Sequence, residues 1–310
     1  MAMNDYPQTL SDLERRFATE EACRKYLADI RWPTGFSCPR CGCTEAWGMG
    51  NGLMRCRECE FKVSLTAGTV FQGTRKPLLM WFRAIWWVVG QKNGASAKGI
   101  QRMLELGSYQ TAWTWLHKMR RAMVRPGRDR LDGIVEVDET YVGGEKPGKR
   151  GRGALGKALV AVAVEDKGTA GIGRIRLAVI PDASQGSLAA FIAQAVAQGS
   201  TIRTDDWIGY GTLQEVGYKR TVVASHELKI AHLTISQLKR WLGGTLQGAV
   251  SHDHLEYYLD EFTFRFNRRR AAHRGLLFFR LLQNAMEVEP TTYRQMVKRV
   301  RGRKPSNHKG

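Results

Sequence analysis

The segment GIVEVDETYVGG, residues 133–144, decides how the second half of the chain folds. Its β-branched and aromatic residues, ended by two glycines, predict a β-strand. Because side chains alternate along a strand, Glu136, Asp138 and Thr140 share one face and the intervening apolar residues share the other. A carboxylate in an otherwise buried strand needs a cationic partner. For Asp138 the sequence leaves two interpretations: a salt bridge with Arg or Lys at the strand edge, or a metal ligand.

The elements after this strand predict an α/β fold. The patterns that follow are two strands, a helix and a further strand: ALVAVAVE (158–165), RIRLAVI (174–180), SQGSLAAFIAQAVAQG (184–199) and TIRTDD (201–206). Three strands, a helix and another strand is the order of a ribonuclease-H-like fold, in which the first and fourth strands are neighbours. Asp138 and Asp205 are therefore expected to approach each other, although 67 residues separate them.

The charge of the chain indicates a polyanionic partner. The 310 residues include 48 Lys and Arg against 29 Asp and Glu, a net charge of +19, which favours nucleic acid. The most apolar stretch, LLMWFRAIWWVVG (78–90), is interrupted by Arg83 and is too short to span a bilayer. The polar, acid-containing start does not resemble a secretory leader. We expect a cytoplasmic protein without a membrane segment.

Two CxxC pairs predict a structural zinc site. CPRC and CREC are separated by fourteen residues, and two such turns supply the four thiolates of a tetrahedral site: Cys38, Cys41, Cys56 and Cys59. The alternatives are unliganded cysteines or a redox pair. Cys43 could compete as a ligand, whereas Cys23 lies in a helical pattern and is expected to be a buried apolar residue.

Residues 77–125 predict helices. Two amphipathic stretches are joined by a turn at Gly107, a pattern typical of a helix-turn-helix. The second helix has an apolar stripe and an opposite polar and basic face that is expected to bind DNA: Thr111, Thr114, Lys118 and Arg121. The alternative is an ordinary helical linker domain.

A later helix, AHLTISQLKRWLGG (231–244), places two further polar side chains together. His232 and Lys239 are seven residues apart, so they point to nearly the same side.

Three stretches together carry a family resemblance: VDETYVGG, TDDWIGY, and the run from SQLKRWLGG to YLDEFTFRFNRR. The chain, from the zinc ribbon to Arg270, resembles bacterial insertion-sequence transposases of the IS1595 family, with their zinc ribbon and DDE-type domain on a ribonuclease-H-like fold. The resemblance implies that Asp138, Asp205 and His232 bind Mg²⁺ or Mn²⁺ and that Lys239 positions a DNA phosphate. Glu261 is the rival third ligand, and Asp206 and Glu139 are weaker rivals of their neighbours.

The implied function is a transposase that binds the terminal inverted repeats of its element and catalyses DNA cleavage and strand transfer. Its partners would be double-stranded terminal and target DNA, with a homo-oligomer joining two ends in the bacterial nucleoid. The competing functions are a zinc-ribbon transcription regulator with an inactive nuclease-like domain, and a structure-specific nuclease.

The expected domains follow from these assignments. They are an N-terminal helical segment (1–34), the zinc ribbon (35–68), the helix-turn-helix-like domain (69–130), the catalytic domain (131–290) and a basic tail (291–310).

Overall fold

The computed structural model describes residues 5–49, 52–125, 127–143, 157–246 and 252–297. The chain divides into two compact units. The first unit combines Met1–Pro126 with Ala271–Gly310, and the second is Gly127–Arg270. Within the described ranges, no helix is long and apolar enough to cross a membrane.

The N-terminal part of the first unit contains helices and one small sheet. In chain order the elements are α1 (Leu10–Arg16), α2 (Glu20–Arg31), β1 (Ala46–Gly48), β2 (Leu53–Cys56), β3 (Lys62–Ser64), α3 (Leu78–Gly90), α4 (Ala97–Met103) and α5 (Tyr109–Ala122). The three strands form an antiparallel sheet in the order β1-β2-β3. The apolar stripe predicted for α5 is buried, and its Trp115 stacks on Trp81 of α3 with ring centroids 3.8 Å apart.

The second unit is a five-stranded sheet covered by helices. Its elements are β4 (Ile134–Val142), β5 (Ala158–Asp166), β6 (Ile172–Ile180), α6 (Gln185–Ala195), β7 (Thr201–Thr204), β8 (Lys219–Val222), α7 (Lys229–Leu246) and α8 (Leu255–Asn267). The strand order is β6-β5-β4-β7-β8. β4, β5 and β6 pair antiparallel, whereas β7 pairs parallel with both β4 and β8. This order confirms the ribonuclease-H-like prediction, with the first and fourth strands side by side.

The alternation predicted for β4 sorts its residues between two cores. Val135 and Val137 join the core beneath α6. Val142 joins the opposite core, where α7 and α8 pack through Leu238, Leu259 and their apolar neighbours. Because Asp138 is an even-numbered residue of β4, it lies on the α7 side of the sheet.

The chain then returns to the first unit. α9 (Arg274–Glu287) and α10 (Tyr293–Val297) follow α8, and α9 packs against α2, α3 and α5. Phe278 of α9 contacts the rings of Phe17, Phe82 and Trp86. The second compact unit ends at Arg270, whereas the catalytic domain is predicted to reach residue 290, and the apolar face of α9 is buried within the first unit. Residues 298–310 of the expected basic tail lie outside the described residues.

Candidate active site and zinc centre

The parallel pairing of β4 and β7 determines how Asp138 and Asp205 lie relative to each other. Ile134 pairs with Thr201, and the ladder continues to Glu136 with Arg203. The pairing ends there; continued with the same offset of 67 residues, it would set Asp138 opposite Asp205, which directly follows the end of β7. Both carboxylates are only partly exposed. The predicted approach of Asp138 to Asp205 thus follows from the register of two neighbouring strands.

His232 completes this group from α7. Its Nε2 lies 3.2 Å from Oδ2 of Asp138. Burial raises the pKa of the Asp138 carboxyl, and the negative charges of Glu139 and Asp205 act in the same direction, whereas the amide of Glu139 and the imidazole of His232 oppose it. The group therefore concentrates negative charge that its own residues do not fully neutralise.

The position of His232 is set by a buried acid on β4. Oε2 of Glu136 accepts hydrogen bonds from the amides of Ile230 and Ala231, at 3.0 and 2.9 Å. These amides belong to the first turn of α7, where helix N–H groups have no partner within the helix. Glu136 therefore ties the start of α7 to the strand that carries Asp138. The sequence placed both acids on one face of β4 but gave no role to Glu136.

Lys239 lies two turns further along the same side of α7 as His232. It is exposed, and seven residues correspond to a rise of about 10 Å along a helix. A long cationic side chain at this place can reach a phosphate beside the carboxylates.

The rival acids occupy different surroundings. Glu261 is fully buried in α8, where its Oε1 accepts from Nε and Nη2 of Arg265 at 2.9 and 2.7 Å. Oε2 of Glu139 accepts from the Tyr210 hydroxyl at 2.7 Å, on the face of the sheet opposite Asp138. Asp206 is exposed to solvent. Of the candidate third ligands, His232 is the one in contact with Asp138.

The donors around Asp138 fit a divalent cation. Carboxylate oxygens are the ligands that Mg²⁺ prefers, and neighbouring ligands of an octahedral ion with bonds of about 2.1 Å are about 3 Å apart. The 3.2 Å between His232 and Asp138 is close to this spacing. A cation would also stabilise the ionised form of Asp138, whose pKa is raised first by burial and then by the charges of Glu139 and Asp205.

The four predicted zinc ligands converge in the first unit. The Sγ atoms of Cys38, Cys41, Cys56 and Cys59 all lie within 4.8 Å of one another. The Cys38–Cys59 and Cys41–Cys56 separations are 3.6 and 3.5 Å. A tetrahedral zinc ion with Zn–S bonds of about 2.3 Å requires sulfur separations of about 3.8 Å. The cluster therefore has the size of a structural zinc site, in which four thiolates leave no position for substrate.

Backbone amides favour the thiolate form of Cys56, whereas hydrogen bonds among the thiols raise the pKa of Cys41 to about 12. Hydrogen bonds from the amides of Cys59 and Glu58, together with those from neighbouring thiols, lower the pKa of Cys56 to about 6 although burial opposes them. Cys43 lies outside the cluster because its Sγ accepts from the amide of Glu45. Cys23 is fully buried in α2, as predicted, and burial raises its pKa to about 12.

The structure separates the four polar residues predicted for DNA on α5. Nζ of Lys118 donates to the carbonyl of Val70 at 3.2 Å, and burial lowers its pKa. Lys118 therefore does not lie on an open outer face. The Thr114 hydroxyl donates to the Gln110 carbonyl, while Thr111 and Arg121 are partly exposed. The exposed part of α5 is its N-terminal end, at Tyr109 and Gln110, which are not among the four residues predicted to bind DNA.

Two family models match the chain. One, described as an ISXO2-like transposase domain, matches residues 130–267, and the other, described as a transposase zinc-ribbon domain, matches residues 18–61. A curated relative, an uncharacterized protein in transposable element ISH50 of Halobacterium salinarum, is 26% identical over 279 residues, which cover 81% of this chain and 92% of that protein.

Solved structures with some similarity include an integrase and a transposase. The catalytic core domain of BIV integrase gives a TM-score of 0.32 at 19% identity, covering 46% of this chain and 89% of that chain. The Mos1 strand transfer complex gives a TM-score of 0.30 at 14% identity, covering 70% and 79%. The ribonuclease-H-like fold follows from the strand order of the second unit, β6-β5-β4-β7-β8.

Proposed function

Because the chain belongs to the IS1595 family of insertion-sequence transposases, we propose that it is a metal-dependent DNA transposase that cuts the ends of its element and joins them to target DNA. The observation that carries the proposal is the contact of His232 with Asp138 on β4, beside the strand whose end is followed by Asp205. The net charge of +19 supports DNA as the substrate.

The residues of the candidate active site have distinct roles in the proposed reaction. Asp138, Asp205 and His232 would hold Mg²⁺ or Mn²⁺, which activates the attacking oxygen and stabilises the leaving oxygen of a phosphodiester when it is bound. Lys239 contacts a phosphate of the bound strand from the same side of α7. Glu136 keeps His232 in place. Water attacks first and frees the 3′ end of the element, whose hydroxyl then attacks target DNA.

The first unit would supply the binding energy and the choice of DNA site. We assign recognition of the terminal inverted repeats to α5 in its helix-turn-helix setting, with Thr111, Thr114 and Arg121 beside the exposed start of the helix. The four-cysteine cluster holds a structural zinc ion. Joining two ends requires at least two copies of the chain, and we propose a homo-oligomer at that stage.

The test uses one variant on β4 and one directly after β7. Asp138→Asn and Asp205→Asn are expected to abolish cleavage and strand transfer while binding to the terminal repeats persists, because each removes a charged oxygen ligand. Asp206→Asn is the matched control, since Asp206 adjoins Asp205 but is exposed. The assay combines the DNA ends that flank the coding region with a target plasmid and Mg²⁺ or Mn²⁺.

The products distinguish the three candidate functions. Joined DNA from the unaltered chain supports a transposase, cleavage without joining indicates a nuclease, and binding alone indicates a regulator. Full cleavage by Asp138→Asn or Asp205→Asn would overturn the assignment of the site. Loss of cleavage in Asp206→Asn would move the second ligand from Asp205 to its neighbour.

A further inference from the structure

The loop after β7 displays an apolar side chain to solvent beside the candidate active site. Residues 205–211, here called the pinned loop, begin with Asp205 and contain Ile208. Ile208 is 71% exposed, the highest value among the large apolar side chains in the described ranges. Single exposed apolar residues are common on protein surfaces, so exposure alone does not assign a role. The surroundings of Ile208 distinguish it from an ordinary surface residue.

One side of the pinned loop is fixed by Arg220 of β8. Its Nη2 donates to the carbonyls of Asp205 and Trp207 at 3.0 and 3.4 Å, and its Nε donates to Oγ1 of Thr204 at 3.1 Å. Oδ1 of Asp205 also accepts from the amide of Trp207 at 3.1 Å. The backbone on the N-terminal side of Ile208 is therefore held at several points.

The other side of the loop is fixed by α6 and the residues before it. Nε1 of Trp207 donates to the carbonyl of Ala183 at 2.8 Å, and Nε2 of Gln185 donates to the carbonyl of Ile208 at 3.3 Å. Gly209 packs so closely that a Cβ there would lie 2.4 Å from the Ala183 oxygen. The loop therefore cannot easily turn Ile208 towards the core.

The end of the loop is tied to the strand that carries Asp138. Tyr210 is fully buried, and its hydroxyl donates to Glu139, the next residue after Asp138. Ile208 thus stands three residues after Asp205, on a backbone anchored both to β8 and to β4. A rigid support at this place keeps an apolar side chain at a fixed position relative to the two aspartates.

We propose that Ile208 is a wedge that inserts between base pairs next to the phosphodiester bound at the proposed metal site of Asp138 and Asp205. Apolar side chains used in this way partly unstack a base step and kink the duplex. The inference rests on the proposed function for the position of the phosphodiester. Unstacking would free the terminal nucleotide so that its phosphate can reach the proposed metal site.

The first experiment measures unstacking without catalysis. The DNA ends that flank the coding region are labelled with 2-aminopurine at their terminal bases and bound to the full chain without divalent cations. We expect the fluorescence to rise with the unaltered protein and with Val222→Ala, but not with Ile208→Ala. Val222 is the matched control because it is a 48% exposed apolar residue of β8 in the same unit. No rise with the unaltered protein, or an equal rise with Ile208→Ala, overturns the wedge.

The second experiment measures cleavage with Mg²⁺ on two substrates. Ile208→Ala is expected to cut fully paired ends about ten- to hundredfold more slowly than the unaltered protein, because unstacking a step costs free energy that the wedge no longer supplies. On ends with mismatched terminal bases, which are already unstacked, the rate is expected to return to within about threefold. An equal loss on both substrates overturns the wedge in favour of a role in the loop fold.

The two experiments separate the wedge from the proposed function. A fluorescence rise that depends on Ile208, in a protein that cuts neither substrate, would support the wedge and contradict the transposase assignment. Cleavage that Ile208→Ala does not alter on paired ends would contradict the wedge and leave the metal site supported.

Discussion

Removal of the Glu136 carboxylate is expected to release the start of α7 and, with it, His232. Glu136 is buried, and one oxygen accepts from two amides of the first turn of α7. Glu136→Ala leaves both amides without this acceptor inside the protein. Each buried donor without a partner costs about 1–3 kcal/mol, so the local opening of α7 becomes easier by about 2–6 kcal/mol.

Glu136→Gln is the matched control for this prediction. The amide oxygen of glutamine can accept from both N–H groups, because a single oxygen of Glu136 does so already. Burial raises the pKa of the Glu136 carboxyl, although the two amides oppose this, so the negative charge itself is disfavoured at this site. The change in local stability from Glu136→Gln is therefore expected to stay within about 1 kcal/mol.

The assay is hydrogen–deuterium exchange of the full chain, read at the first turn of α7 with α6 as the internal reference. A loss of about 2 kcal/mol corresponds to exchange about 30-fold faster, since each 1.4 kcal/mol is a factor of ten. Exchange in Glu136→Ala within about threefold of the unaltered protein would refute the anchoring role. The same holds if Glu136→Gln exchanges as fast as Glu136→Ala.

The raised pKa of Glu136 adds a pH dependence with a defined sign. A carboxyl whose pKa is higher in the folded state binds its proton more tightly there. Its contribution to stability is therefore complete below its ordinary value of 4.5 and is lost as the pH rises through the raised folded value. After correction for intrinsic exchange rates, protection at the start of α7 should decline over this window in the unaltered protein but not in Glu136→Gln.

Two further predictions concern other parts of the chain. Cys56→Ser is expected to release the zinc of the first unit and to expose β1–β3 to protease, because three thiolates bind zinc less tightly than four. A chromogenic zinc assay on the purified chain measures the release. Retention of one equivalent of zinc would contradict the assignment. Glu165→Gln is expected to lower the melting temperature at pH 7. Burial opposes ionisation of Glu165, but hydrogen bonds from Arg174 lower its pKa below 4.5, so its stabilisation is present at neutral pH and lost as the pH falls through the lowered value. A difference in melting temperature that does not shrink below about pH 4 would show that the ion pair is not its cause.

The parts of the fold that depend on local patterns could be predicted. The alternation in β4 predicted which of its residues share a face, and the order of strands predicted that Asp138 would approach Asp205. The four clustered cysteines follow from the spacing of two tight turns. The alternation of β4 and the spacing of the cysteines are local patterns. The approach of Asp138 to Asp205 follows from the order of the strands.

The parts that depend on tertiary partners could not be predicted. Helical spacing placed Lys118 on an outer face, but the segment that contains Val70 covers that side of α5. The amphipathic pattern of α9 predicts a buried face without saying which unit buries it. The sequence did not predict β8, because its four residues, KRTV, are mostly polar and exposed and show no apolar alternation.

The three acids of the VEVDET segment join two other elements, α7 and the pinned loop, to one strand. Glu136 binds the start of α7, 94 residues later in the chain, and Asp138 meets His232 on that helix. Glu139, on the opposite face, binds Tyr210 at the end of the pinned loop. Because successive residues of a strand point to opposite faces, adjacent acids can anchor a helix on one side of the sheet and a loop on the other. The geometry around Asp138 therefore depends on contacts distant in sequence, so a substitution at Glu136 or Tyr210 should alter the site without touching any proposed metal ligand.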